Sequence, residues 1–268
     1  MNEKIHVLFT EALANRGIAY TRRDAWEYEV TRGEWAVVVN VENVHRELAR
    51  GGAPELLEHF VEQIVEQIVA AAQETELPWP EAKAHLLWSV ESGDHDLDGV
   101  VTREVSPMAA QVLTLTNRDH TRLTWVTRQM CDQWGVDPRR AAAVATANQD
   151  RLLENIALEV GEAEGEALGM IPLESAFKAS VIFAPRLRQW VESDLGWPVL
   201  AVVPCRDFIY LLPHDSPLVP HLGGVVVREY RGSGYPVSTE VFRISDDGVK
   251  ALGNYGAAAH QARQKVDD

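Results

Sequence analysis

The sequence predicts an α+β protein made of two modules of helix-hairpin-helix type, with mostly antiparallel sheets packed by helices. Three observations carry this expectation. Helical apolar spacing at the start of the chain gives way to period-two alternation around Trp26 to Val39. A long amphipathic stretch then runs up to the stiff Leu77-Pro78-Trp79-Pro80. The last third returns to helical turns followed by short apolar runs between turn residues.

Ile5, Leu8, Phe9 and Leu13 recur at helical spacing, and Gly17 follows as a C′ glycine. Trp26, Tyr28 and Val30 share one face of a strand. Thr31-Arg32-Gly33-Glu34 turns the chain, and Trp35, Val37 and Val39 answer on the partner strand. Aromatic residues at this spacing suit cross-strand packing over a core; a base-stacking platform would need a basic groove that the sequence does not supply. Pro54 suits a first helical position, and Leu57, Val61, Ile64, Val65, Ile68 and Val69 form one stripe. The opposite face carries Glu55, Glu58, Glu62 and Glu66. The stripe docks on the hairpin or, if too wide, makes a homodimer seam along residues 54–72.

The expected division is a first module at 1–76, an α+β domain at 80–253 and a short flexible tail at 254–268. In the second domain Leu86 to Val90 reads as a strand and Glu91 to Gly99 as a polar loop. Val112 to Thr116 and Arg122 to Val126 form a hairpin around Asn117-Arg118-Asp119-His120. Asp137-Pro138 is an N-cap and N1 proline opening a helix through Ala143, Ala147, Leu152 and Ile156. Gly161 to Gly169 reads as an acidic loop. Phe177, Val181, Leu187 and Trp190 belong to helical turns around Pro185. Val199 to Val203 and Phe208 to Leu212 are strands joined by Pro204-Cys205-Arg206-Asp207. A helix from about Val219 to Tyr230 precedes strands at Val241 to Ile244 and Gly248 to Leu252.

Composition bounds the function classes. Forty Asp and Glu against 25 Lys and Arg give a formal charge of −15, a field that repels phosphate backbones, so no nucleic-acid partner is expected. The apolar runs are too short to cross a bilayer, so no membrane partner is expected either. The N-terminus lacks the basic and apolar regions of a secretory signal, and Cys131 and Cys205 read as reduced, buried thiols. The expected compartment is the cytoplasm.

Two stretches carry candidate chemistry. Asp94-His95-Asp96-Leu97-Asp98-Gly99 places Asp94, Asp96 and Asp98 at alternate positions before a glycine, as a calcium loop requires. The bidentate acid of such a loop belongs where Val105 stands, and Glu104 comes one residue early. The loop therefore reads as an acidic turn or as a weak Ca2+ site, with no other cofactor expected. Cys205, Arg206 and Asp207 form the second candidate. Arg206 next to the thiol could lower its pKa, with His214 or His221 nearby. In the structural reading Asp207 bonds backbone amides and Arg206 pairs with an acid. There is no G-x-S-x-G elbow and no H-E-x-x-H pair. Gly232-Ser233-Gly234 follows Arg228 and Arg231 but reads as a turn.

Several stretches between residues 80 and 252 resemble the YtpQ-like family of bacterial proteins, a domain of unknown function. They are Pro107-Met108-Ala109 with Val112 to Thr116, Gly135-Val136 with the helix to Asn148, Phe177-Lys178-Ala179-Ser180 with Val181 to Pro185, Val203-Pro204-Cys205-Arg206-Asp207, and Gly234-Tyr235-Pro236-Val237-Ser238. Lys178 replaces the family's usual acid, and Cys205 sits where a small polar residue is common. The resemblance implies a shared fold and brings no activity with it. The expected function is that of a non-enzymatic protein-interaction protein, of adaptor, chaperone-like or immunity type, whose partner is another protein. The alternative is a small-ligand-binding protein or enzyme with a site at Cys205, Arg206 and Asp207.

Overall fold

The computed structural model describes residues 2–23, 25–32, 35–41, 44–45, 48, 55–75, 77–117 and 123–256. The chain is α+β, with antiparallel sheets packed by helices. It divides into two compact units, Met1–Leu77 and Pro78–Asp268.

The elements of the first unit whose bounds lie within the described residues are α1 (Asn2–Ala14), β1 (Ala19–Arg22), β2 (Glu27–Arg32), β3 (Trp35–Asn40) and α2 (Glu55–Thr75), with Val44, His45 and Leu48 also helical. The unit therefore holds one strand more than a helix-hairpin-helix. β1 is too short, at four residues, to show an alternation in sequence. α1 closes with Gly17 at φ +67° and a bond from Ile18 N to Leu13 O, the left-handed exit that glycine makes without strain. Ile5, Phe9 and Leu13 are buried as expected, whereas Leu8 is exposed. The inward stripe is narrower than the spacing suggests, because Ala12 takes the place beside Phe9. Tyr28, Val30 and Val39 meet Phe9, Leu57, Val61 and Ile64 in one core. Each large apolar side chain buried there contributes about 1.5–3 kcal/mol. The described part of the α2 stripe is thus used within its own unit. The side chains of Ile68 and Val69, like Pro54 and the Gly33-Glu34 turn, lie outside the described residues.

The second unit is not a helix-hairpin-helix but is built on two sheets. After the single turn α3 (Trp79–Ala82), β4 (Leu86–Ser92) pairs with β6 (Ala109–Thr116). β5 (Thr102–Glu104) and β7 (Leu123–Trp125) lie end to end along the other side of β6. The Asp119-His120 turn lies outside the described residues. α4 (Arg128–Trp134) starts at Thr127, whose side chain accepts from Met130 N, and stops at left-handed Gly135. α5 (Pro138–Asn148) starts at Asp137, which accepts from Arg139 N at 2.7 Å, with proline next in line.

The larger sheet has the order β13-β12-β10-β11-β9-β8. β10 (Val199–Cys205) and β11 (Phe208–Pro213) form its centre, with β12 (Glu240–Ser245) and β13 (Gly248–Asn254) on one side. On the other lie β8 (Glu159–Ala163) and β9 (Glu166–Met170), where an acidic loop was expected. Glu164 and Gly165 have φ of +52° and +85°, which makes a two-residue hairpin turn of the primed type. Glutamate at the first of these positions hides the signal. Asn254 belongs to β13 and pairs with Glu240, so the tail cannot start there; residues 257–268 lie outside the described residues.

One face of this sheet, with Val199, Ala201, Val203, Leu211 and Phe242, packs on Phe177, Val181 and α6 (Leu187–Leu195). Leu87, Val90 and Ala109 of the smaller sheet join the same core. The other face, with Leu200, Val202, Leu212 and Val241, is covered by Leu222 and by Val226 of α7 (Gly223–Gly232). Among the described residues no helix is long and apolar enough to cross a membrane.

Candidate functional site at the Arg206 turn

The residues that close β4 determine what meets the β10–β11 turn. β4 extends to Ser92, so Glu91 is a strand residue and not part of a polar loop. Alternation puts Ser89 and Glu91 on one face, and the Ser89 hydroxyl donates to Glu91 Oε1 at 2.5 Å. Glu91 is only 1% exposed, so its charge requires a partner. Arg206 supplies it, donating to Glu91 Oε2 from Nε at 3.0 Å and from Nη2 at 2.5 Å. The expectation that Arg206 pairs with an acid is met, across 115 positions of sequence.

The turn itself is two residues long, because β10 runs through Cys205 and pairs it with Phe208. Its backbone is held from both sides. Ala179 N donates to Arg206 O at 3.0 Å, and Arg206 N donates to Tyr235 O at 3.3 Å. Val237 N donates to Pro204 O at 2.8 Å. The segment after α7 thus lies along the turn and sets the Tyr235 ring over the guanidinium, with 4.7 Å from Cζ to the ring centroid. Tyr235 is 58% exposed. The result is an exposed aromatic ring seated on a cation that a buried carboxylate fixes from below.

Cys205 is buried, and that burial pushes its thiol pKa up, against smaller opposing contributions from a Ser233 side-chain hydrogen bond and the Asp207 backbone. Arg206 donates from Nε and Nη2 to Glu91, and the net shift of the Cys205 thiol is upward. His214 follows Pro213, which pairs with Val199 at the far end of the hairpin from Cys205. His221 Nδ1 bonds Glu164 Oε2 at 2.6 Å. Neither histidine joins Cys205, and Asp207 is solvent-facing.

The acidic loop borders the same region. Gly93 N donates to Met108 O at 2.8 Å, and a Cβ on Gly93 would lie 2.6 Å from Pro107 O, so only glycine lets the two turns approach this closely. Asp94 lies near Tyr230, whose pKa is raised by burial first and by the Asp94 charge second. The carboxylates do not gather around a point. Asp96 Oδ1 accepts from Asp98 N at 3.3 Å and Asp98 Oδ1 from Gly99 N at 3.0 Å. Among the described residues no three His, Cys, Asp or Glu side chains form a group that could hold a metal ion. Strands β4 and β5, not helices, flank the loop.

A second buried carboxylate repeats the Ser-x-Glu pattern. Glu240 Oε2 accepts from Ser238 Oγ at 2.8 Å and from Ser106 Oγ at 2.5 Å, tying the turn before β6 to β12. Sequence reading missed Glu91, Glu240 and Tyr235. The first two share one signal, a glutamate two residues after a serine, at Ser89 and Glu91 inside β4 and at Ser238 and Glu240 where β12 begins.

Comparisons with family models, with curated proteins and with solved structures return no match to this chain.

Proposed function

We propose that the chain is a non-enzymatic protein-interaction protein, of adaptor, chaperone-like or immunity type, and that Tyr235 anchors its contact surface. The observation that carries this reading is the exposed Tyr235 ring held over Arg206, itself locked to buried Glu91. Tyrosine offers a large amphipathic face with little rotamer entropy to lose, and a ring already fixed in place loses less still on binding. The acidic balance of the whole chain favours a partner of opposite charge.

Kinship with the YtpQ-like family belongs to the same proposal. Three of the stretches that carry the resemblance meet at this turn: Phe177 to Ser180 through Ala179 N, Val203 to Asp207, and Gly234 to Ser238. A small-ligand site at Cys205, Arg206 and Asp207 ranks second. An anion there would compete with the Glu91 carboxylate for the guanidinium, and burial raises the pKa of the thiol.

The test is capture of partners from a cell extract by the immobilised chain, compared with the same chain carrying Tyr235→Ala. The proposal expects a discrete set of proteins that the variant loses while keeping its circular dichroism. Identical capture by both chains contradicts it.

A further inference from the structure

We propose that Asp98 is a modification site, whose side chain condenses spontaneously with the Gly99 backbone and opens to isoaspartate, while Asp247 is spared. The inference does not rest on the function proposed above.

The chain holds two Asp-Gly bonds, and both continue into valine, as Asp98-Gly99-Val100 and Asp247-Gly248-Val249. Glycine has no Cβ to shield its amide nitrogen, which leaves that nitrogen open to the preceding carboxyl group. The sequence on the reacting side is the same at both bonds, and both aspartates are exposed. A large difference in reactivity between them therefore comes from the fold.

The two sites differ in what each carboxylate faces. Gly99 N donates to Asp98 Oδ1 at 3.0 Å, so the amide already meets the group it attacks. When that nitrogen loses its proton, the freed electron pair points where the N–H pointed, towards the carboxyl. This is a near-attack arrangement. The backbone holds it from both sides: Asp98 N donates to Asp96 Oδ1 at 3.3 Å, and Gly99 O accepts from Arg128 N at 2.9 Å. A Cβ at Gly99 would meet nothing within 4 Å, so the approach is unobstructed. At the other bond, Gly248 stands in the β12–β13 ladder opposite Ser245. The Asp247 carboxylate is turned to Lys250, with Oδ2 3.8 Å from Nζ.

The step balances with water as its only other participant. Gly99 N bonds Asp98 Cγ, and the hydroxyl of the protonated carboxyl departs as water with the amide proton. Water then opens the five-membered imide. Attack at Cγ restores aspartate. Attack at the Asp98 carbonyl carbon instead routes the main chain through Cβ and Cγ. Isoaspartate thus adds one methylene to the backbone of the β4–β5 loop and leaves a free α-carboxylate beside it.

Ageing the full chain in neutral buffer with gentle warming tests this. An isoaspartyl methyltransferase with radiolabelled S-adenosylmethionine counts the isoaspartate, and electron-transfer fragmentation of the peptides locates it. In the folded chain it should build up at position 98 about tenfold faster than at 247. In guanidinium chloride the two rates should converge, because both carboxylates are released from their contacts. Asp98→Glu should remove most of the methyl acceptance, since the longer side chain needs a six-membered ring; circular dichroism checks that its fold survives. No isoaspartate at 98 in the folded chain, or a rate at 247 that equals it, overturns the proposal. So does a preference for 98 that persists unchanged in guanidinium chloride, which would place its origin in the sequence alone.

Discussion

Arg206 and Glu91 form a buried ion pair that joins the β10–β11 turn to the end of β4, and with it the two stretches of sequence richest in candidate chemistry. The Arg206 side chain is 13% exposed and that of Glu91 is 1% exposed. Two charges removed from water this far gain little net stability from each other, but either one left alone is costly. The pair fixes where Tyr235 sits more than how stable the fold is.

Removing one partner should therefore be worse than removing both. Arg206→Met alone should cost about 3–5 kcal/mol, because it strands the Glu91 carboxylate. Arg206→Met with Glu91→Gln should recover most of that loss. Urea unfolding of the two single variants and the double variant measures the coupling; additive effects would show that the pair is not a unit.

Gln149 stands in for a missing strand along the open edge of β4. Its Oε1 accepts from Trp88 N at 2.9 Å, and its Nε2 donates to Trp88 O at 3.1 Å and to Ser180 O at 2.9 Å. Gln149→Leu keeps the volume and leaves those three backbone groups buried without these bonds. Each orphaned group costs about 1–3 kcal/mol. Thermal unfolding of Gln149→Leu should show one of the larger losses in the second unit, while Gln133→Leu on the solvent side of α4 should change little.

Alkaline pH should weaken the fold through Cys131. Burial, with Asp132 and Asp137 adding to it, pushes this thiol from 9.0 to about 11. The folded state holds its proton more tightly than the unfolded state. The resulting stability is full below pH 9.0 and is lost as pH rises towards about 11, at about 1.4 kcal/mol per pH unit. Tyr255, raised to about 12 by burial, extends the decline above its ordinary 10.0. Stability of Cys131→Ala against pH should show a shallower slope between 9.0 and about 11 than the wild type. Parallel curves would refute the assignment.

The parts of this architecture that local chemistry determines were legible before any coordinates. Asp137-Pro138 announced α5, Gly17 announced the end of α1, and the alternation at Tyr28, Val30, Val37 and Val39 announced β2 and β3. What stayed hidden depends on distant partners or on a disguised turn. Glu91 looked like the start of a polar loop because its arginine lies 115 positions away. The β8–β9 hairpin looked like a loop because Glu164 occupies a left-handed position that usually signals itself with Asn, Asp or Gly. Tyr235 could not be singled out, since a tyrosine between Gly234 and Pro236 is ordinary turn sequence until Arg206 is seen beneath it.

The carboxylates at Asp94, Asp96 and Asp98 allow a plain check by thermal shift. Adding calcium at saturating concentration should leave the melting temperature unchanged, because Asp96 and Asp98 are turned to backbone N–H groups of their own loop. A rise that Asp96→Asn abolishes would show that the loop closes on a metal ion after all.

The contact surface at Tyr235 is tested most directly by placing a photoreactive aromatic residue there. Tyr235→p-benzoylphenylalanine keeps a ring over Arg206, and Leu252→p-benzoylphenylalanine serves as a control at nearly equal exposure, 59% against 58%. Irradiation in native cell extract should cross-link the chain to a distinct protein from position 235 and not from 252. No cross-link at 235, or the same products from both positions, would contradict the account.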